Sequence, residues 1–95
     1  MNGQNRLLGR LAAAAYSQEE SIPGMPVIEI VGNRRVLIEC HKGISQYTDR
    51  LVCVNVKFGY VQVMGEKLEI SRMTKDQLVI SGCIGEISLS RGAAG

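Results

Sequence analysis

The sequence predicts a small all-β domain, and three observations carry this prediction. After Pro26, apolar residues recur at every second position, as they do in a strand with one buried face. At glycines the apolar residues shift from even to odd positions or back, and the segments between these phase changes are short. No helical period separates those segments, so the crossover connections of a parallel sheet are not expected. We therefore expect an antiparallel meander of seven or eight short strands, folded into a sandwich, roll or small barrel.

Residues 51–58 show the alternation most clearly. Val52, Val54 and Val56 fall on one face of the predicted strand, and the residues between them fall on the other. Further strands are predicted around the apolar positions within residues 27–31, 36–40, 61–63, 68–70, 78–84 and 87–89.

Glycines mark the places where the alternation changes phase. A shift of one residue moves a side chain to the opposite face of a strand, so each change requires a turn or a bulge. Glycine supplies the positive φ that such features need. The predicted structural turns lie at Gly32, Gly59, Gly65, Gly82 and Gly85.

A short β-solenoid is the alternative architecture. Residues 60–65 and 78–82 resemble each other loosely, and stacked repeats produce such similarity. The spacing of the two segments is not regular enough to favour the solenoid over the meander.

The chain divides near the two prolines, Pro23 and Pro26. The predicted regions are an N-terminal helix and linker at 1–22, a β domain at 23–91 and a flexible C-terminal tail at 92–95.

Residues 4–16 predict a short helix, because their apolar side chains are spaced by three and four positions. Those side chains are Leu7, Leu8, Leu11 and Ala15. A helix this short needs a surface to lie on. The candidate surfaces are its own domain, a second copy of the chain, and a membrane, for which Arg6 and Arg10 supply two cations.

Composition excludes several functional classes. The net charge is +2, and basic and acidic residues are interspersed, so no basic run is present to follow a phosphate backbone. The glycines form no phosphate-binding loop. The four aromatic residues, three Tyr and one Phe, form no platform for stacking bases. A module that binds a small ligand or peptidoglycan remains a further alternative, although the lack of an aromatic shelf disfavours sugar binding. Nucleic-acid binding is not expected.

Three cysteines, Cys40, Cys53 and Cys83, are widely spaced and odd in number. This pattern favours reduced thiols in a cytosolic compartment over a disulfide framework. Cys53 and Cys83 have apolar neighbours and are predicted to be small buried groups. A zinc site formed by the three thiols and His41 would require a distortion, because Cys40 and His41 face opposite ways on a regular strand.

His41 is the only histidine, and it is the best candidate for catalysis. On a strand, Glu39 lies two residues away on the same face, and its carboxylate would orient the imidazole. Two common residues at this spacing are a weak signal, so we expect no catalytic residue, no metal ligand and no cofactor. The chain is predicted not to be an enzyme.

The residues from Ile38 to Asp49 are the most distinctive part of the sequence. They place polar and charged side chains inside strand sequence, which indicates either an exposed turn or a surface that binds a partner. The candidate partner-binding residues are Glu39, His41, Lys42, Gly43 and Tyr47.

This same region carries a family resemblance. The chain resembles the YabP/YqfC sporulation proteins, and the YqfC branch most closely, from about residue 22 to residue 89. The segments that carry the resemblance are PVIEIVG at 26–32, IECHKGI at 38–44 with YTD at 47–49, GYVQVMG at 59–65 and LVISGCI at 78–84. Cys40 stands where the resemblance leads us to expect Asn.

The resemblance implies a non-enzymatic role in endospore formation, in the cytoplasm of the mother cell and peripheral to the forespore membrane. It implies no cofactor and suggests a membrane-associated partner, the sporulation protein YqfD. Exposed strand edges recruit other strands, so assembly into a homo-oligomer is also expected. Contact with the membrane would then be indirect.

Overall fold

The computed structural model describes residues 23–92, which form an antiparallel β-structure of six strands. The all-β class is confirmed for these residues. The predicted helix over 4–16 and residues 93–95 of the predicted tail lie outside the described residues. The strands are β1 (Val27–Val31), β2 (Arg35–Glu39), β3 (Ile44–Tyr47), β4 (Leu51–Val56), β5 (Gly59–Met73) and β6 (Gln77–Arg91).

The predicted number of strands, seven or eight, is wrong because two strands are long. β5 and β6 contain 15 residues each and run through the glycines at which the sequence predicted strand ends. The phase changes are produced by bulges within the strands. One lies between Met64 and Gly65 of β5, opposite Gly85 of β6, and another follows Glu66.

The strands form one open sheet with the order β1-β2-β6-β5-β4-β3. β3 to β6 follow one another as the predicted meander, whereas the β1–β2 hairpin lies on the far side of β6. Every pair is antiparallel, so the solenoid alternative is wrong.

The sheet is strongly bent, and the connection from β2 to β3 shows why it must be. Glu39 pairs with Gln77 at one end of β6, while Ile44 lies in register, through β4 and β5, with Leu89 near the other end. Twelve residues of straight strand would separate these two levels by ~40 Å. The connection of residues 40–43 spans at most ~18 Å. The bulges of β5 and β6 therefore fold the two ends of the sheet toward each other.

The two ends of the sheet are built in the same way. In one half the β1–β2 hairpin pairs with the first part of β6, and in the other the β3–β4 hairpin pairs with the first part of β5. Val36 opposite Ile80 corresponds to Val52 opposite Val63. The loosely similar segments 60–65 and 78–82 occupy equivalent places in the two halves.

The tip of each hairpin binds the bent strand beside it. Asn33 and Arg34 accept hydrogen bonds through their carbonyls from the N–H groups of Ile84 and Gly82 of β6. Asp49 and Arg50 accept equivalent bonds from Leu68 and Gly65 of β5. The main-chain pairing of each hairpin thus continues past its last paired strand residue and reaches the bend of the neighbouring strand.

The inner faces of the two halves meet in one apolar core. Its fully buried side chains are Val36, Ile38, Val52, Val54, Val61, Val63, Leu78 and Ile80. Leu68 and Val56 complete the buried cluster, and Ile28, Ile44, Phe58, Ile70, Ile84 and Ile87 pack around it. Alternation in the sequence predicted the inward positions of β2 and β4, which supply half of the fully buried residues.

The five glycines predicted as turns have different positions. Gly32 lies in the β1–β2 turn with a φ of 53°. The other four lie within β5 and β6. At Gly59, Gly65 and Gly82 a Cβ would overlap a carbonyl oxygen of the neighbouring strand, so the absence of a side chain permits close approach of the two backbones.

Candidate functional site

The segment from Cys40 to Gly43 connects the two halves of the sheet, and it contains the only histidine. Nε2 of His41 lies 2.9 Å from the carbonyl oxygen of Thr74, in the β5–β6 turn. Nδ1 of His41 accepts a hydrogen bond of 3.0 Å from the N–H of Gly43. A carbonyl can only accept, so the neutral tautomer with its proton on Nε2 satisfies both contacts.

The main chain of this connecting segment is held from both sides. The N–H of Cys40 donates to the carbonyl of Asp76 at 2.7 Å, beside the β5–β6 turn. Asn55 of β4 accepts from the N–H of Lys42 at 2.7 Å and donates to the carbonyl of Gly43 at 2.8 Å. The segment therefore forms a fixed bridge between the two halves of the sheet.

Cys40 adopts the left-handed conformation that begins this bridge, with a φ of 61°. Asn, Asp and Gly adopt this conformation most readily, whereas other residues do so at a cost. The left-handed residue ends β2 and turns the chain, so Glu39 and His41 do not continue one regular strand. The sequence-based geometry for a Glu39–His41 catalytic pair, which required a strand, is therefore wrong.

The predicted partner-binding residues differ in exposure. Glu39 and Lys42 are exposed, and His41 and Gly43 are half-buried. Tyr47, at the end of the edge strand β3, is 51% exposed. The charged residues Glu39 and Lys42 are thus exposed at or beside a main chain that hydrogen bonds hold in place, and together they form a surface of defined shape.

Tyr47 also has an internal contact. Its hydroxyl oxygen accepts a hydrogen bond of 3.3 Å from the N–H of Ile70, in the second part of β5. β4 pairs with β5 only as far as Met64, so none of the six described strands lies beside Ile70 on this side. The Tyr47 side chain therefore spans the opening between β3 and β5 and satisfies a backbone donor at its far side.

Comparison with known proteins identifies the family. Residues 25–95, which include the connecting segment and both bent strands, match the sequence model of the YabP family. The chain belongs to the YabP family. No curated protein and no solved structure matches this YabP-family chain.

The cysteines of this YabP-family chain are separate free thiols in the described structure. Cys53 is buried, as predicted, but Cys83 is exposed because it lies at the bend of β6, so its predicted burial is wrong. Within residues 23–92, no three His, Cys, Asp or Glu side chains come close enough to hold a metal ion. The described YabP-family residues also contain no helix that is long and apolar enough to cross a membrane.

Sequence reasoning missed three residues that hold this surface: Thr74, Asp76 and Asn55. Thr74 and Asp76 each contribute a carbonyl oxygen, which any residue type supplies, so no sequence signal marks them. Asn55 binds the bridge through its main chain and is also unmarked. The one available signal was the expectation of Asn at the position of Cys40, since Asn indicates a left-handed residue.

Proposed function

We propose that this YabP-family chain is a non-enzymatic structural and interaction protein of endospore formation, which acts by assembling with itself or with a membrane-associated partner. Family membership supports a sporulation-related role. The proposal extends this role to the mother cell, at the cytoplasmic side of the forespore membrane, and to the YqfC branch of the family.

The fixed bridge between β2 and β3 is the observation that carries the proposal. Main-chain hydrogen bonds from both halves of the sheet hold residues 40–43, so Glu39 and Lys42 are presented on a preformed surface. A preformed surface loses little conformational entropy on binding, which favours recognition of a protein partner. Adjacent β3 is an edge strand of the described sheet and adds this edge to the same surface.

The contacts of His41 favour binding over catalysis. Both ring nitrogens are within hydrogen-bond distance of the main chain, through Thr74 and Gly43. A general base needs a ring nitrogen that can accept a proton from a substrate. Here Nδ1 is already an acceptor within the fold, so the ring fixes the bridge in place.

The proposed partner is YqfD. In the test, cells coexpress tagged YqfD and the full chain, the membranes are solubilised with detergent, and copurification of the two proteins is measured. Lys42→Glu should weaken copurification and reduce the number of spores. The matched control is Arg35→Glu, which reverses another exposed positive charge, at the end of β2 far from the bridge. If Lys42→Glu retains full binding and sporulation, the bridge is not the contact surface.

Two further measurements test the rest of the proposal. Light scattering at high micromolar concentration tests self-assembly: a strict monomer that also fails to bind YqfD would contradict the proposed mode of action.

Elemental analysis of protein purified without chelators tests the alternative, a metal-binding or catalytic domain centred on His41. A stoichiometric metal that is lost in His41→Ala would favour that alternative.

A further inference from the structure

The two halves of the sheet leave two equivalent openings, of which only one is bridged in the described structure. The first opening lies between β3 and the second part of β5. Its ends are fixed by the Asp49–Leu68 and His41–Thr74 hydrogen bonds. The Tyr47 hydroxyl bridges its middle by accepting from Ile70.

The second opening lies between β1 and the second part of β6. At one end the carbonyl of Asn33 accepts from Ile84. At the other end Lys57, in the β4–β5 turn, donates through Nζ to the carbonyl of Pro23 at 2.7 Å. This turn also binds the end of β6, because Phe58 accepts from the N–H of Gly92.

No side chain of the described residues bridges the middle of this second opening. Ile30 occupies the place in β1 that Tyr47 occupies in β3, and an isoleucine is too short and too apolar to reach across. Large apolar side chains of the inner face are exposed instead: Ile30 is 54% and Leu89 61% exposed. Leu89 lies beside the fully buried Val61 on the inner face, so its exposure marks a place where the core is uncovered.

Within residues 23–92, the backbone of β6 is also unpaired along this opening. β2 pairs with β6 only from Gln77 to Ser81, and none of the described strands follows on that side of β6 beyond the bend. The N–H of Gly92 points toward β5, because it donates to Phe58, and the N–H groups of every second residue before Gly92 point the same way. By the same alternation, the N–H groups of Ile87 and Leu89 point into the opening.

We propose that the N-terminal segment of the same chain covers this opening, with the apolar stripe of residues 4–16 packed against Ile30 and Leu89. The chain enters the described structure at Pro23, which lies at one end of the opening. Leu7, Leu8, Leu11 and Ala15 supply an apolar surface of the required character.

The lengths of the two surfaces agree. A helix over residues 4–16 is ~20 Å long at 1.5 Å per residue. β1 is five residues long, or ~17 Å, and residues 85–91 of β6 extend ~23 Å. Residues 17–22 span at most ~22 Å, which lets the helix reverse direction and lie along the opening.

Covalent connection favours this occupant over a second copy. A segment attached at the end of its own binding site has an effective concentration of order millimolar, above the concentration of free chains in most experiments. The inference is independent of the proposed function, since it concerns a different surface from the bridge of residues 40–43.

The test is solution NMR of the full chain with labelled methyl groups. We expect nuclear Overhauser contacts from Leu7 and Leu11 methyls to those of Ile30 and Leu89. Leu7→Asp with Leu11→Asp should abolish these contacts and shift the Ile30 and Leu89 methyl resonances. The matched control, Gly9→Asp with Ala13→Asp, adds the same charges at the same spacing on the opposite helical face and should preserve the contacts.

Three results would overturn the inference. In a mixture of differently labelled chains, Leu7 and Leu11 contacts to Ile30 and Leu89 that occur only between chains would show that a second copy covers the opening. If anionic vesicles broaden the methyl resonances of Leu7 and Leu11, and no contact to Leu89 is seen without vesicles, the stripe binds a membrane instead. Unshifted Ile30 and Leu89 resonances in the Leu7→Asp, Leu11→Asp variant would show that the stripe does not cover this opening.

Discussion

Nε2 of His41 lies 2.9 Å from the carbonyl oxygen of Thr74, which is 33 residues away in the chain. The imidazole thereby connects the bridge after β2 to the turn between β5 and β6. Its other nitrogen accepts from Gly43, so one side chain holds the bridge at two points.

Replacing His41 with Ala should lower the free energy of unfolding by about 1–2 kcal/mol, because both contacts are lost. Urea denaturation followed by circular dichroism measures this change. Lys42→Ala is the control, since its exposed side chain makes no hydrogen bond within residues 23–92, and it should change stability by less than about 0.5 kcal/mol. Equal stability of the two variants would show that His41 does not hold the bridge.

Gly65→Ala should be destabilising by about 1–3 kcal/mol, because its Cβ would overlap the carbonyl oxygen of Cys83 in the neighbouring strand. Gly85→Ala is the matched control at the same bend. Its Cβ would lie 3.5 Å from the nearest atom, the carbonyl oxygen of Met64, which is an ordinary contact. Thermal unfolding should separate the two variants clearly, and a Gly65→Ala protein as stable as Gly85→Ala would contradict the close approach.

Cys40→Asn should stabilise the protein by about 0.5–1 kcal/mol, because Asn tolerates the left-handed conformation of this position better than Cys does. Cys83→Asn removes an exposed thiol at a residue with an ordinary backbone conformation and should give no comparable gain. Chemical denaturation of the two variants compares them directly. A loss of stability in Cys40→Asn would mean that the thiol makes a contribution larger than the backbone cost.

Tyr47→Phe should remove the acceptor for the Ile70 N–H while retaining the aromatic ring. We expect a loss of about 0.5–1.5 kcal/mol and faster hydrogen exchange of the Ile70 amide. Tyr60→Phe serves as the control, because the Tyr60 hydroxyl has no hydrogen-bond partner within the described residues. Unchanged exchange at Ile70 in Tyr47→Phe would show that this bond does not protect the amide.

The sequence predicted the fold class and much of the core because alternation is a local property. Val52, Val54 and Val56 lie on one face in the structure, as their spacing predicts. The lengths of β5 and β6 could not be predicted in the same way. A phase change at Gly65 is compatible with a turn and with a bulge, and the choice depends on whether the neighbouring strand continues past it.

The candidate site was predicted only in part for a related reason. The polar character of residues 39–42 is visible in the sequence and indicates a surface. The contacts that fix this surface come from Thr74, Asp76 and Asn55, and they use main-chain atoms that are identical in every residue. Their positions depend on the bend of the whole sheet, which no local pattern specifies.

The β5–β6 hairpin belongs to both halves of the sheet, with one end of each strand in either half. Neither half can therefore be excised as an autonomous folding unit, because removal of one leaves half of the hairpin without neighbours. The domain should melt in a single cooperative transition, with no intermediate in which one half persists. Cutting the chain between residues 56 and 59 would yield two fragments that fold only when they are recombined.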